Sequence, residues 1–313
     1  MDYIQLAFKG KTDWWRYLIG AIFIFFIWQL GTLIHFGAVM AKISLDGGDL
    51  QNIGYEELMT TLSKNLTFFL LLLSFVFGAF AVWFIYKFFH EASFKDLITT
   101  RAKFDWKRFW VGFWLIGGLI ILFTSLDYYY NPSDYLVNFQ WGKFLVLLII
   151  GILLVPIQTT FEELFFRGYL LQGIGVLSKN RGIALVITSV VFGLLHLANP
   201  EVDKIGKIIM VSYIGTGFLL GIMALMDEGL ELSIGFHAGN NLVTALLVTA
   251  DWTAFQTESI FISLGEPDAT IEVLFPVLIV YPIFLFILAR IYKWKNWKEK
   301  LFGNVSVSNQ NSD

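Results

Sequence analysis

Residues 144–168 read FLVLLIIGILLVPIQTTFEELFFRG, an apolar run that ends in Glu162, Glu163 and Arg167. A charged side chain at the centre of a lipid bilayer costs about 2.5–3.5 kcal/mol on insertion scales. Three charges placed so close together at the end of an apolar run need a reason, and the default reason is function. The length of the run is typical of a helix that crosses a membrane, so this stretch decides the fold class.

The composition of the whole chain is that of a polytopic membrane protein. Of the 313 residues, 57% are hydrophobic and only 15% are charged, whereas a soluble domain carries about 25% charged residues. Because the chain has no cysteine, it has no disulfide framework, no thiolate metal site and no cysteine nucleophile. The basic residues lie in short loops beside apolar segments, which gives no indication of a nucleic-acid partner.

Eight segments come near the ~20 apolar residues that cross the hydrocarbon core of a bilayer. We predict an all-α fold, a bundle of about eight transmembrane helices at 16–41, 66–89, 109–126, 143–163, 183–199, 208–226, 232–250 and 273–292. The fourth helix is expected to continue through Arg167 to about Leu177, with Pro156 as the source of a kink. A single membrane domain then covers residues 1–304, and residues 305–313 form a disordered polar tail.

Lys and Arg predict the orientation of these helices, because cytoplasmic loops of membrane proteins carry an excess of both. With the first residues inside, most of the 22 Lys and Arg residues fall in inner segments, and the outer segments are acidic. We therefore expect a multi-pass protein of a bacterial inner membrane with both termini in the cytoplasm. The inner acidic group of Asp227, Glu228 and Glu231 opposes the pattern, but acidic residues have little weight in this rule.

The paired carboxylates have different partners if the stretch is helical. Glu163 and Arg167 are four residues apart and share a face, which predicts an ion pair. Glu162 is turned about 100° away, so its carboxylate is free to face a cavity. A carboxylate in that position suits a general base that takes a proton from water and returns it to a leaving group. The alternative is a structural ion pair that locks two helices together.

Two histidines fall within predicted spans and stand at helical spacing from other polar or aromatic residues. His196 follows Phe192 by four residues, and His237 precedes Asn241 by four residues. A single intramembrane histidine is more often part of a satisfied hydrogen bond between helices. Together with the carboxylates, however, these side chains predict one polar pocket between three spans, the usual place for a site in a helical bundle.

Other polar groups serve as comparisons. His35 has no acidic or amide partner near it in sequence, and His90 sits at a cytoplasmic helix end, so both are interpreted as structural. Glu56 and Glu57 repeat the paired carboxylates, but no arginine follows them at the same spacing and the setting is an outer loop. Asn240 competes with its neighbour for the pocket, although the spacing from the histidine of the same span disfavours it.

Three motifs occur in chain order on three of the predicted spans, namely Glu-Glu-x-x-x-Arg, Phe-x-x-x-His and His-x-x-x-Asn. This ordered set resembles the CAAX prenyl protease and bacteriocin-processing family of intramembrane proteases. The resemblance covers a protease core at about residues 143–250, and all three motifs are intact. It agrees with the eight-helix fold of that family and implies an endopeptidase that works within the bilayer.

The resemblance also implies a role for each motif residue. Glu162 looks like the group that activates water, and His196 looks like a group that helps to hold this water. Glu163 and Arg167 look like the supporting pair. The two residues of the third motif, His237 and its amide partner, look like the donors that stabilise a tetrahedral oxyanion.

The family implies its partners too. These are the bilayer itself and a lipidated or membrane-associated peptide, since eukaryotic members cleave prenylated C-terminal Cys-a-a-X substrates and bacterial members are linked to bacteriocin maturation and self-immunity. Glu162, His196 and His237 could instead hold Zn²⁺ with an open water position. The third motif lacks the two-histidine helix of a zincin, so we expect no metal and keep zinc as the alternative.

Two further functions compete with the protease. A non-catalytic scaffold or bacteriocin self-immunity protein could keep the fold, but it would not need an unpaired Glu162. A proton-coupled transporter could use intramembrane Glu and His as a relay. The absence of two corresponding broken helices in the two halves of the sequence disfavours a transporter.

Overall fold

A computed structural model describes residues 1–51, 53–269 and 273–306. It is dominated by helix, which confirms the predicted all-α class. The α-helices of the described residues are α1 Trp14–Leu45, α2 Tyr55–Thr60, α3 Lys64–Phe84, α4 Phe94–Ile98, α5 Trp106–Tyr130, α6 Trp141–Glu163, α7 Leu171–Ser178, α8 Arg181–Leu194, α9 Pro200–Ile205, α10 Met210–Asp227, α11 Glu231–Leu247, α12 Tyr281–Tyr292 and α13 Trp297–Phe302.

Five helical segments in this part of the chain are long and apolar enough to cross a membrane. They are Trp14–Leu45, Lys64–Phe89, Trp106–Tyr130, Trp141–Ser178 and Lys207–Asp227. Two shorter apolar helices, Arg181–Leu194 and Pro276–Tyr292, accompany them. Each of the eight predicted spans contains a helix, but the number of eight crossings is not confirmed. A multi-pass membrane protein accounts for the apolar side chains that cover the outside of the long helices, such as Leu18 and Phe26 on α1.

The fourth predicted span is the axis of the fold. It runs from α6 through a π-helical turn, Leu164–Leu170, into α7, so the predicted extension past Arg167 is confirmed. The helix continues through Pro156, and the wide turn lies further along, directly after Glu162 and Glu163. Such π-helical turns inside α-helices occur frequently at functional sites. Lys179, with a left-handed φ of 56°, ends α7.

Glycines let the helices around this axis approach closely. On α11, a Cβ atom at Gly235 or Gly239 would overlap the backbone of α5 at Phe109 or Phe113. On α10, a Cβ atom at Gly217 would lie 2.7 Å from the carbonyl oxygen of Ser189 on α8. This small residue allows the fifth and sixth predicted spans to pack closely against each other.

A small sheet joins the loops at one end of the bundle. Its strands are β1 Tyr135–Val137, β2 Val248–Thr249 and β3 Phe261–Ser263, in the order β1-β3-β2. The β1 strand pairs with β3 in antiparallel fashion, whereas β2 pairs with β3 in parallel. Strands of two or three residues are too short for the alternation of apolar and polar residues that would predict them. The prediction of a purely helical chain missed them for that reason.

The acidic turn between α10 and α11 is neutralised within the fold. Arg101 Nη2 lies 2.9 Å from Asp227 Oδ2, and Arg101 Nη1 lies 3.0 Å from Glu231 Oε2. Arg108 also pairs with Asp227. Both carboxylates are buried, so they require these cations. Two of the acidic residues that oppose the orientation pattern therefore belong to an ion-pair network. This network connects α10 and α11 to α5 and to the segment before α5.

The first residues of the chain pack against the second half of the fourth predicted span. Tyr3 is buried, and its hydroxyl donates to the carbonyl oxygens of Leu97 at 2.7 Å and Arg167 at 3.2 Å. A 3-10 helix, Ile4–Lys9, follows and packs against α7. Gln5 Nε2 donates to the carbonyl oxygen of Ser306 at 2.9 Å.

The last described residues are held in place as well. Val305 is buried, and its N–H donates to the carbonyl oxygen of Lys179 at 2.9 Å. The predicted disordered tail, 305–313, therefore begins with a packed residue. Its residues 307–313 lie outside the described part of the chain.

Candidate active site

Glu163 and Arg167 form the predicted ion pair. Arg167 Nη1 donates to Glu163 Oε1 at 2.9 Å, and both side chains are almost completely buried. The guanidinium lies over the ring of Phe192, 4.2 Å from its centroid, and Nη2 donates to the carbonyl oxygen of Gly217 at 3.4 Å. A buried charge is tolerated when it is paired and hydrogen-bonded in this way. The pair thereby connects the axis to α8 and α10.

His237 is oriented by the same carboxylate. Its Nδ1 lies 3.0 Å from Glu163 Oε1. An ionised carboxylate only accepts hydrogen bonds, so Nδ1 carries the proton and donates it. The other ring nitrogen, Nε2, lies 3.7 Å from Glu162 Oε2. The two glutamates thus meet the two nitrogens of one imidazole, and this contact distinguishes the roles of those nitrogens.

Glu162 is separate from the arginine pair, as its position on the helix predicts. Its side chain is buried apart from a small exposed fraction, 8% for the residue. Gln158 Nε2 donates to Glu162 Oε1 at 2.8 Å. The prediction of a carboxylate without a fixed partner is therefore wrong for one of its two oxygens. The spacing of four residues between Gln158 and Glu162 was the signal that could have identified this contact.

Asn241 joins the site through the same glutamine. Asn241 Nδ2 donates to Gln158 Oε1 at 3.1 Å, and Asn240 Nδ2 donates to Asn241 Oδ1 at 3.0 Å. Both asparagines are partly buried on α11. Asn241 is therefore the asparagine that contacts α6, and Asn240 contacts α6 only indirectly, through its hydrogen bond to Asn241.

His196 lies beyond the helix to which we assigned it. The predicted fifth span extends to residue 199, but α8 ends at Leu194 and His196 sits in the turn that follows. Its Nδ1 hydrogen-bonds the carbonyl oxygen of Phe192 at 2.8 Å, and its ring stacks on Tyr213 with centroids 4.5 Å apart. The ring of Phe192 is 4.7 Å from that of His196 and 6.2 Å from that of His237. His196 therefore lies at the edge of the site, and among the described residues no direct hydrogen bond joins it to Glu162.

The residues of the zinc alternative are not gathered into a coordination sphere. Among the described residues, no three His, Cys, Asp or Glu side chains are placed to hold one metal ion. The Nδ1 atoms of both candidate histidines contact other groups, a carboxylate for His237 and a backbone carbonyl for His196. Such contacts commonly orient a histidine whose other ring nitrogen binds a metal, so Nε2 is the atom that zinc would use in this alternative.

The comparison residues lie away from this pocket. His90 is buried between the carbonyl oxygen of Lys11, at 2.7 Å, and the hydroxyl of Tyr169, at 2.9 Å. His35 is buried in α1, and its Nε2 has no hydrogen-bond partner among the described residues. Glu57 accepts a hydrogen bond from the backbone N–H at the start of α2. These contacts agree with the structural interpretation of His90 and of the second carboxylate pair.

Comparisons with known proteins identify relatives of this chain. The family model for type II CAAX prenyl endopeptidases, Rce1-like, matches residues 141–243, which include the whole pocket. An uncharacterized protein of Bacillus subtilis (strain 168), YyaK, is 30% identical over 243 residues, which cover 77% of this chain and 80% of that protein. No solved structure matches.

Proposed function

The chain belongs to the Rce1-like family of CAAX prenyl endopeptidases, and from this premise we propose that it is an intramembrane endopeptidase that uses glutamate-activated water. Its substrate is a lipidated, CAAX-type or other membrane-associated peptide in a bacterial cell membrane. The supporting observation is the meeting of Glu162, His237 and Asn241, which come from two helices and share a buried polar pocket. A small number of polar groups that converge in a pocket between helices is typical of a functional site.

Glu162 is the general base of the proposed reaction. It takes a proton from a water molecule while the water oxygen bonds to the carbonyl carbon of the scissile peptide. When the tetrahedral intermediate collapses, the C–N bond breaks and the same proton passes to the leaving amine. Oε1 is held by Gln158, so Oε2 is the oxygen that serves the proton transfer.

His237 and Asn241 stabilise the negative oxygen of the intermediate. Because Nδ1 of His237 donates to Glu163, Nε2 is a hydrogen-bond donor only when the imidazole is cationic. In the protonated state it presents N–H toward the pocket, where Glu162 lies 3.7 Å away. Asn241 uses one amide hydrogen on Gln158 and retains a second for the oxyanion. Donors positioned in advance contribute most to this kind of catalysis.

His196 holds the attacking water in this proposal. Its Nδ1 bonds the carbonyl oxygen of Phe192, so the neutral ring leaves a lone pair on Nε2. That lone pair can accept one hydrogen of the water while Glu162 accepts the other. The stacked ring of Tyr213 fixes the plane of the imidazole.

The deciding experiment replaces the base. We expect Glu162→Gln, purified in detergent, to cleave a farnesylated CAAX peptide about 10²–10⁴ times more slowly than the wild type, which is the usual contribution of a general base. Glu56→Gln, in the exposed carboxylate pair of α2, is the matched control and should cleave at the wild-type rate. Cleavage by the wild type should survive exhaustive chelation.

Other outcomes would redirect the assignment. Full activity of Glu162→Gln would remove this residue as the base. Activity lost on chelation and restored by zinc would replace the metal-free reaction with a zinc reaction. Proton-coupled solute uptake by vesicles that contain the wild-type protein would favour a transporter.

A further inference from the structure

We propose that Gln158 is a positioning residue that fixes the two sides of the reaction centre, the carboxylate of Glu162 and the amide of Asn241. Gln158 lies in α6, one turn before the carboxylate pair, and belongs to none of the three motifs. The inference rests on the proposed function, since it assigns a role within the same hydrolysis.

The hydrogen bonds around Gln158 run in one direction. A carboxylate cannot donate, so the contact with Glu162 Oε1 at 2.8 Å turns the –NH₂ group of Gln158 toward Glu162. The carbonyl oxygen of Gln158 then faces Asn241, whose Nδ2 donates to it at 3.1 Å. Asn241 Oδ1 is left to accept from Asn240 at 3.0 Å. Each amide in this series of hydrogen bonds therefore has one orientation, which is set by the negative charge of Glu162.

This arrangement makes the two oxygens of Glu162 unequal. Oε1 is occupied by the Gln158 amide, whereas Oε2 faces Nε2 of His237 at 3.7 Å. One oxygen is thus held for orientation and the other remains for proton transfer. On the opposite side, one amide hydrogen of Asn241 is fixed on Gln158 and the second stays available.

A structural role alone would predict different partners for Gln158. Its side chain is buried, with 3% of the residue exposed, and a buried amide must be satisfied. Gln172, further along the same axis, is buried too, but its Nε2 donates to the backbone oxygens of Tyr3 and Asp96 and its Oε1 accepts from the hydroxyl of Tyr86, none of which belongs to the pocket. Both polar ends of Gln158 instead contact side chains of the pocket. This difference supports a role in the reaction rather than in folding.

The test is a double-mutant cycle on the purified full chain with the farnesylated CAAX peptide. We expect Gln158→Met to lower kcat about 10- to 100-fold, the effect of losing a hydrogen bond to a charged group, with KM changed less than about threefold. The double variant Gln158→Met/Asn241→Ala should lose clearly less than the product of the two single losses, because the two residues act through one contact. Gln172→Met is the matched control: it should lower the melting temperature, keep kcat, and combine with Asn241→Ala multiplicatively.

Each remaining outcome decides the question. A wild-type kcat for Gln158→Met, or losses that multiply in the double variant, would overturn the inference. If the Met variant does not fold, Gln158→Asn, which stays polar but is one methylene shorter and cannot span both partners, is measured in its place with the same expectations. An inactive Glu162→Gln beside a fully active Gln158 variant would reject this inference alone, whereas an active Glu162→Gln would reject the proposed function.

Discussion

Glu163 is not the proposed base, but its carboxylate contacts both a buried cation and a histidine of the pocket. One of its oxygens, Oε1, accepts from Arg167 at 2.9 Å and from His237 at 3.0 Å. The other, Oε2, is buried and has no hydrogen-bond partner among the described residues. Both contacts therefore help to stabilise the carboxylate in an apolar interior. At the same time it determines which nitrogen of His237 faces the pocket.

Replacing the arginine should remove the support of this carboxylate. We expect Arg167→Ala to lower stability by about 3–5 kcal/mol, because it leaves Glu163 buried without its cation, and to abolish cleavage. Melting temperature and yield in detergent, together with the peptide assay, measure both effects. Arg290→Ala, at an exposed position near the end of α12, is the control and should behave as the wild type. A normal melting temperature and normal turnover for Arg167→Ala would show that the pairing is not needed.

Residue spacing predicted the contacts that lie within one helix. The i, i+4 rule gave the Glu163–Arg167 pair and the separate direction of Glu162. The same spacing joins Gln158 to Glu162, but an uncharged side chain within an apolar run does not by itself indicate a hydrogen bond. The contacts of Gln158 with Asn241 and of His237 with Glu163 join different helices. Such contacts depend on how the helices cross, which one sequence does not specify.

At the scale of the helices, the position of α11 against α5 places two of the proposed catalytic groups. The two helices touch backbone to backbone through Gly112 on α5 and through Gly235 and Gly239 on α11. His237 lies between these two glycines in sequence. The direction of its side chain, and that of Asn241 a turn later, therefore depends on how closely the helices approach.

A methyl group at this contact should displace the site. We expect Gly239→Ala to cost at least 1–3 kcal/mol, as overpacking commonly does, and to lower kcat more than ~10-fold, because the new Cβ collides with the carbonyl oxygen of Phe113. Gly118→Ala on α5 is the matched control, since its Cβ meets no atom within 4 Å. The control should be neutral or stabilising by up to about 1 kcal/mol. Equal melting temperatures and rates for the two variants would refute the close contact.

Hydrophobic runs predicted where helices occur better than where they end. The span assigned to 183–199 stops as α-helix at Leu194 because the chain turns at residues 195–198, before Pro200 begins α9. The π-helical turn after Glu163 also has no signature in the apolar pattern. Helix ends and wide turns depend on local hydrogen bonds, whereas hydropathy reports only burial in lipid or core.

At the scale of the whole molecule, the composition predicts the class of an all-α membrane protein but does not predict how many helices cross the membrane. Helix α8 has 14 residues and α11 has 17, fewer than the ~20 that a crossing usually needs. α11 also carries the polar groups of the pocket. Such helices are stabilised by their neighbours, and their depth in the bilayer is a property of the assembled bundle.

The orientation of the bundle remains a prediction that the absence of cysteine makes easy to test. Single cysteines at two exposed positions, Ser133→Cys between α5 and α6 and Lys298→Cys in α13, can be introduced one at a time. We expect an impermeant maleimide to label the first in intact cells, and the second only after lysis, because the distribution of Lys and Arg predicts that both termini are inside. Labelling of Lys298→Cys alone in intact cells would reverse the orientation. The unmodified chain is the blank.

The packing of the first residues has a consequence for biogenesis. Gln5 is bound to Ser306, 301 positions later, and Tyr3 contacts the backbone of Arg167. A nascent chain emerges from the ribosome with its beginning first, so this segment must wait for partners that are translated much later. The first residues therefore complete their packing only after the last of these partners has been made. A chain that ends before α13 would lack Ser306 and would leave Gln5 without this contact.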